Sequence, residues 1–311
     1  MLSFSAETKS EIALLKLTPL EEKTEFIAFA RNNAKINSEN IVLTMENSKI
    51  VRRIYGFFKQ FYDINPTVLQ VDKLNFSKKK TNQIIVESKL SLILKDLMIL
   101  DDNNKYLLEP NNFIVETEDQ IRAYLRGVFL ASGSINDPKT SRYHLEFLID
   151  QKEEAHFVLQ LLNKFYLGAK IIVRDKGYMV YVKESEKIGD FLRIISASRA
   201  VMYFEDIRIY RDHKNMTNRF NNCEQANMDK IAFAADKQMQ DIDIIISKLG
   251  LDLIEEKLKE VIIYRKKYPD VSLLELSNII SIETGKNITK SGLNHRIRKI
   301  KELANKLKEQ D

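Results

Sequence analysis

A chain of 311 residues, 44% hydrophobic and 30% charged, falls among ordinary soluble globular proteins and has room for about two domains. No run approaches the roughly 18 uninterrupted apolar residues of a membrane span, and the start, Met1-Leu2-Ser3-Phe4-Ser5-Ala6-Glu7, lacks a basic stretch followed by an apolar one, so a cytoplasmic location is expected. The single cysteine, Cys223, excludes an internal disulfide and a multi-thiolate zinc site, while the net charge of +5 permits a nucleic-acid partner without demonstrating one.

Taken in chain order, the first predicted helix runs through Phe26-Ile27-Ala28-Phe29-Ala30-Arg31-Asn32-Asn33-Ala34-Lys35-Ile36. Period-2 alternation predicts a strand at Ile41 to Met45, followed by a helix ending in Phe61-Tyr62 and a hairpin of Thr67 to Leu74 with Ile84 to Val86. A short helix around Leu94 to Leu100 closes the segment. The same elements then recur. Leu125-Arg126-Gly127 through Gly133-Ser134-Ile135 lines up with the first helix, Gly127 matching Ala28 and Gly133 matching Ala34, so small residues recur where close helix packing would need them. A strand at Tyr143 to Ile149, a helix ending in Phe165-Tyr166, a hairpin of Ala169 to Val173 with Tyr178 to Val182 turning at Asp175-Lys176-Gly177, and a helix at Ile188 to Ile195 follow. The expected fold is α+β, with the pattern αββαββα occurring twice.

Between Arg211 and Lys230 the chain is polar and rich in asparagine, a residue that favours turns and helix caps, which predicts a connector leading into a helix from about Cys223 to Lys248. Capping of that helix is one role for the connector; contact of Arg219, Asn222 and Asn227 with DNA or the first domain is the other. Beyond Leu251, Ile254, Leu258, Val261 and Ile262 mark a helix that stops before Pro269. Ser272-Leu273-Leu274-Glu275 is a capping box that opens the next helix, Gly285 and Asn287 break it, and Thr289 can cap the last one. That last helix carries the apolar stripe Leu293, Ile297, Ile300, Ala304 and Leu307. Lys290, Arg296, Arg298, Lys299 and Lys301 give it the basic concentration missing elsewhere, with no acid before Glu302. Three short helices ending in a basic one fit a helix-turn-helix whose last helix enters the major groove. Arginine can reach both acceptors of guanine and asparagine can pair with adenine, while lysines mainly hold phosphate.

The duplicated pattern resembles the LAGLIDADG homing endonucleases, in which two name-giving helices pack at a pseudo-two-fold axis beneath a saddle of strands. In that family an acidic residue precedes the final glycine of each helix, and the two carboxylates hold divalent metals. Magnesium is a hard cation that takes charged oxygen ligands. Here the two positions are Asn33 and Ser132, neither of which is charged, so no catalytic residue and no metal site is expected. Asp137, Glu146 and Asp150 lie nearby and are read as solvated strand and turn carboxylates, a relocated metal site being the alternative.

The chain as a whole is similar to the bacterial WhiA family. The residues that carry this likeness are Phe4-Ser5-Ala6-Glu7-Thr8-Lys9, Leu125-Arg126-Gly127 through Ala131-Ser132-Gly133-Ser134-Ile135-Asn136-Asp137-Pro138, Tyr143-His144-Leu145-Glu146, Asn218-Arg219, Asn222-Cys223-Glu224 with Ala226-Asn227, and Lys290-Ser291-Gly292-Leu293-Asn294-His295-Arg296. Two departures are Ala34 in place of a glycine and a longer turn before the last helix. The likeness implies a homing-endonuclease scaffold retired from cleavage, and a regulator of sporulation or cell division.

The expected organisation is a LAGLIDADG-like saddle domain over 1–208, with repeats of about 1–102 and 103–208, a linker over 209–232 and an all-α helix-turn-helix domain over 233–311. The expected activity is sequence-specific binding of double-stranded DNA to regulate transcription, by a cytoplasmic, nucleoid-associated protein that needs no cofactor. Lys290, Ser291, Asn294, His295, Arg296, Arg298 and Lys299 are the expected DNA contacts, with Lys78, Lys79 and Lys80 as a second surface. Other transcription proteins are conceivable partners, no membrane is expected, and the internal duplication is compatible with a monomer. Two rival readings are an active metal-dependent DNA endonuclease and a protein-interaction module with weak nonspecific DNA binding.

Overall fold

Ser3 caps the first helix, α1 (Phe4–Ile12), its hydroxyl accepting from the Ala6 N–H at 3.3 Å. The computed structural model of the chain describes residues 2–72 and 80–309. Thr18 and Glu21 then form a capping box, with Pro19 in the first turn, at the start of α2 (Pro19–Asn33). The elements β1 (Lys35–Ile36), β2 (Ile41–Met45), α3 (Ser48–Tyr62), β3 (Thr67–Asp72), β4 (Lys80–Val86) and α4 (Leu90–Asp96) complete the first repeat. A second capping box, Thr117 with Gln120, opens α5 (Glu118–Ser132), and β5 (Gly133–Ile135), β6 (Leu145–Ile149), α6 (Lys152–Lys164), β7 (Lys170–Arg174), β8 (Gly177–Val182) and α7 (Ser185–Ile194) repeat the order. Each repeat builds a four-stranded antiparallel sheet, ordered β1-β2-β4-β3 and β5-β6-β8-β7. The αββαββα duplication expected from the sequence is therefore the observed architecture.

The register explains which face is buried. Ile41, Leu43 and Met45 of β2 alternate with half-buried Val42 and Thr44, and Leu145, Phe147 and Ile149 do the same in β6, so one face of each sheet enters the core beneath the helices. Helices α2 and α5 pack at close range. A Cβ on Gly127 would lie 2.3 Å from the Glu25 carbonyl oxygen and 2.8 Å from the Ala28 Cβ, so at this crossing the second repeat needs glycine where the first has alanine. Ala34 is tolerated because its backbone is extended (φ −69°, ψ 129°) and needs no glycine.

Two buried ion-pair networks join the repeats. The Glu25 carboxylate, fully buried, accepts from Arg126 Nε at 2.8 Å and from Arg53 Nη2 at 3.2 Å. Glu154, also buried, accepts from Arg31 Nε at 2.9 Å, from Asn32 Nδ2 at 2.9 Å and from the Tyr124 hydroxyl. Burial, then the Glu154 carboxylate, holds the Tyr124 phenol well above its usual range, so it remains a donor. Buried carboxylates are tolerable only when saturated in this way.

The chain divides into two compact units, Met1–Arg211 and Asp212–Asp311. Helix α8 (Ser198–Leu249) gives its first residues to one and the rest to the other. Three sequence expectations are corrected here. The stretch from Arg211 to Lys230, expected as a turn-rich connector before a helix at about Cys223, lies inside α8; no glycine or proline occurs from Ser198 to Leu249, and asparagine costs a helix well under 1 kcal/mol per residue. The tails of the two predicted core helices are the short strands β1 and β5. The closing helix expected around Leu94 to Leu100 runs from Leu90 to Asp96.

In the second unit, α9 (Glu256–Lys267), α10 (Leu273–Thr284) and α11 (Lys290–Lys308) enclose a separate core of Leu258, Val261, Ile262, Leu276, Ile280, Leu293, Ile297 and Ile300, with Ile242 and Ile245 of α8. Among the described residues no helix is long and apolar enough to cross a membrane.

Candidate nucleic-acid interface

The turn between α10 and α11 is fixed by its own side chains. Gly285 adopts φ +69° at the end of α10, a conformation costly for other residues, and its N–H donates to the Ser281 carbonyl at 3.1 Å. Ser281 donates its hydroxyl to the Ser277 carbonyl at 2.7 Å and accepts from the Ile288 N–H at 3.0 Å, while the Ile288 side chain is buried. Thr289 then caps α11 by accepting from the Gly292 N–H at 3.1 Å. On the opposite side, the buried Arg265 guanidinium donates to the Val271 carbonyl at 2.7 Å and braces the turn between α9 and α10.

With this frame in place, the apolar stripe of α11 faces inward and the remainder faces out. Leu293, Ile297, Ile300, Ala304 and Leu307 are buried. Ser291, His295 and Arg298, four and three residues apart, form an exposed row on the opposite face. Lys290, Lys299 and Lys301 are exposed around it and Asn294 is half-buried at its flank, with no acid in the first turn.

Arg296 differs from the other expected contacts. It points along the side toward α9, where its Nη1 lies 3.4 Å from the Glu260 carboxylate, which also accepts from Lys286 Nζ at 2.9 Å. No sequence motif marks that pair, because its members sit on different helices. Lys80 is exposed at the start of β4, and Lys78 and Lys79 lie outside the described residues.

At Asn33 and Ser132 the polar side-chain atoms engage the backbone. The Asn33 amide donates to the Thr44 carbonyl at 3.0 Å and accepts from the Thr44 N–H at 2.8 Å, and the Ser132 hydroxyl donates to the Val128 carbonyl at 3.3 Å. Two of the acids nearby are engaged separately: Glu146 faces His144 at 3.0 Å, and Asp137 accepts from the Lys139 N–H and the Tyr203 hydroxyl. Among the described residues no group of three or more histidine, cysteine or acidic side chains could hold a metal ion. The residues present at this centre do not fit the divalent ion of the nuclease fold.

Comparison with known proteins agrees along the chain. The WhiA N-terminal LAGLIDADG-like domain matches residues 19–100, the WhiA LAGLIDADG-like domain residues 121–214 and the WhiA C-terminal HTH domain residues 217–304. The chain is 41% identical over 311 residues to the "Probable cell division protein WhiA" of Bacillus mycoides (strain KBAB4), covering 99% of this chain and 98% of that one. It is likewise 41% identical over 311 residues to the protein so named in Bacillus cereus (strain G9842), with the same coverage. Among solved structures, full-length DUF199/WhiA from Thermatoga maritima matches with a TM-score of 0.58 at 24% identity, covering 98% of this chain and 99% of that one.

Proposed function

The chain belongs to the WhiA family, and from that premise we propose that it is a sequence-specific double-stranded DNA-binding transcription regulator, acting in cell division or sporulation, whose homing-endonuclease scaffold does not cleave. The observation that carries this reading is the capped, rigidly framed α11, which presents Ser291, His295 and Arg298 in one exposed row ringed by lysines. In this reading Arg298 and Asn294 read base edges, Ser291 and His295 contact bases or phosphate, and Lys290 and Lys299 hold phosphates. Arg296 sets the tilt of α11 against α9 through Glu260. The protein would act in the cytoplasm on the nucleoid, without a cofactor.

Absence of cleavage is supported by the hydrogen bonds that engage Asn33 and Ser132 with the backbone. Selection from a random duplex library by the full-length protein tests the proposal. An enriched sequence that Arg298→Ala ceases to enrich supports it; equal retention of all duplexes overturns base reading. Sequence-specific cleavage in the presence of Mg²⁺ would overturn the inactive scaffold.

A further inference from the structure

From Asp212 to Ala234 every residue of α8 is exposed, and burial resumes only at Ala235. A helical stretch without tertiary contacts draws little stability of its own in water. Its residues are nevertheless sorted by face. His213, Met216, Phe220, Cys223 and Asn227 follow one another at three, four, three and four residues, the heptad spacing that keeps a line of side chains on one side of a helix. Lys214, Asn215, Asn218, Asn221, Asn222 and Gln225 occupy the opposite side, so most of the asparagines of this stretch belong to its outer face.

The line holds large apolar side chains in water. Met216 is 75% exposed and Phe220 61%. A row of such residues on a soluble protein marks a contact surface. With Phe220 at position a of the heptad, His213 and Asn227 are also a, Met216 and Cys223 are d, Arg219 is g and Glu224 is e. The flanks say which partner fits. In a parallel two-stranded pair, a g residue of one helix meets the e residue five places further along the other, which here joins Arg219 to Glu224 of a second copy, twice by symmetry. Among the described residues, neither side chain has a hydrogen bond or ion pair within its own chain. An antiparallel pair would set e against e and g against g, and so part Arg219 from Glu224. Asn227 is the kind of polar a residue that fixes register and favours two strands, because two amides facing each other across the seam satisfy one another. Within its own chain the Asn227 amide meets the Cys223 sulfur, a weak acceptor, at 4.0 Å.

We propose that this face of α8 pairs with the same face of a second copy of the chain as a short parallel coiled coil in register, with Met216, Phe220 and Cys223 in the seam, Asn227 setting the register, and Arg219 and Glu224 forming the flanking ion pairs. The seam spans about two heptads and includes two polar positions, so the pair is weak and forms by mass action. Ile242 and Ile245, farther along α8, share the core of the second unit with α11. Pairing therefore brings two copies of α11 into one particle, as in helix-turn-helix proteins that read two half-sites. The pairing rests on α8 alone and stands whether or not α11 binds DNA.

The test is sedimentation of the full-length protein in reducing buffer at concentrations up to about 500 µM, where a monomer–dimer equilibrium is expected. Phe220→Glu should abolish the dimer while leaving the thermal midpoint of the dilute protein unchanged, and Asn227→Leu should tighten it. Arg219→Glu should weaken it about tenfold, through two repulsions in place of two attractions, and Arg219→Glu combined with Glu224→Arg should restore it. Orientation is read from Met216→Cys in a Cys223→Ser background. Mild oxidation should cross-link the copies through position 216, which parallel pairing sets face to face and antiparallel pairing sets apart. A wild type that stays monomeric throughout would overturn the pairing and leave this face to another protein. A dimer indifferent to both Phe220→Glu and Asn227→Leu would overturn the seam. Failure of the charge exchange to restore affinity, or of position 216 to cross-link, would overturn the parallel register.

Discussion

Asn33 reads both backbone groups of Thr44, donating to its carbonyl at 3.0 Å and accepting from its N–H at 2.8 Å. An aspartate in its place can satisfy only the N–H and would set its charge against the carbonyl oxygen. Asn33→Asp should therefore destabilise the protein by about 1–3 kcal/mol, seen as a lower urea midpoint with an unchanged slope. A variant as stable as the wild type would mean that the amide is not what holds the end of α2 to β2.

On α11, arginine and lysine should separate by function. Arg298→Ala is expected to cost about 1–3 kcal/mol of affinity on the preferred duplex and much less on unrelated ones. Lys299→Ala should weaken all duplexes alike and reduce the slope of log affinity against log salt by about 0.9. Binding titrations on two sequences at several salt concentrations check both; identical behaviour of the two variants would contradict the division.

If Arg296 acts through Glu260, the two residues are coupled in stability rather than in base preference. Side chains this partly exposed support a coupling of about 0.5–1 kcal/mol in a double-mutant cycle of Arg296→Ala and Glu260→Ala. Additive effects, together with an altered sequence preference in Arg296→Ala, would return Arg296 to the DNA surface.

The parts of this molecule that are legible in the sequence are those where a local signal coincides with a tertiary demand. Gly127, opposite Ala28, stands out because the α2 and α5 backbones approach there too closely for a Cβ on it. Thr289 and the Leu293 to Leu307 stripe delimit α11 by residue type and spacing alone. The capping boxes Thr18-x-x-Glu21 and Thr117-x-x-Gln120 are further repeat signals, which only the hydrogen bonds of the folded chain bring out. Strands of two or three residues, as in β1 and β5, are too short to show a period. In α8 the asparagines suggest turns, although the lack of glycine and proline is the stronger cue. Pairings such as Arg296 with Glu260 depend on folding and have no local signature.

The Glu25 network should be the most sensitive joint between the repeats. Glu25→Gln leaves the Arg53 guanidinium buried without its counter-charge and Arg126 with Glu21 alone, 3.6 Å from its Nη2, and an uncompensated buried charge costs about 3–5 kcal/mol. Urea unfolding of the full chain measures this. A loss below about 1 kcal/mol would show that water replaces the carboxylate and that the interface is less sealed than its burial indicates.

Lys9 makes stability depend on pH in a defined direction. In the unfolded chain its pKa is the ordinary 10.5; in the fold burial lowers it to about 8. Below about pH 8 both states hold the proton and Lys9 contributes no slope. Between about 8 and 10.5 the unfolded chain binds more protons than the folded one, so unfolding takes up a proton and stability rises with pH. Above that window both states are neutral and the slope ends. Other lysines and tyrosines titrate in the same range, so the measurable quantity is the difference between the wild type and Lys9→Met. Lys9→Met should be the more stable protein at about pH 7, because it removes a crowded ammonium, and the gap should narrow as pH rises through the window. A gap that stays constant from about pH 7 to 10 would mean that Lys9 keeps its ordinary pKa and is solvated in the folded protein.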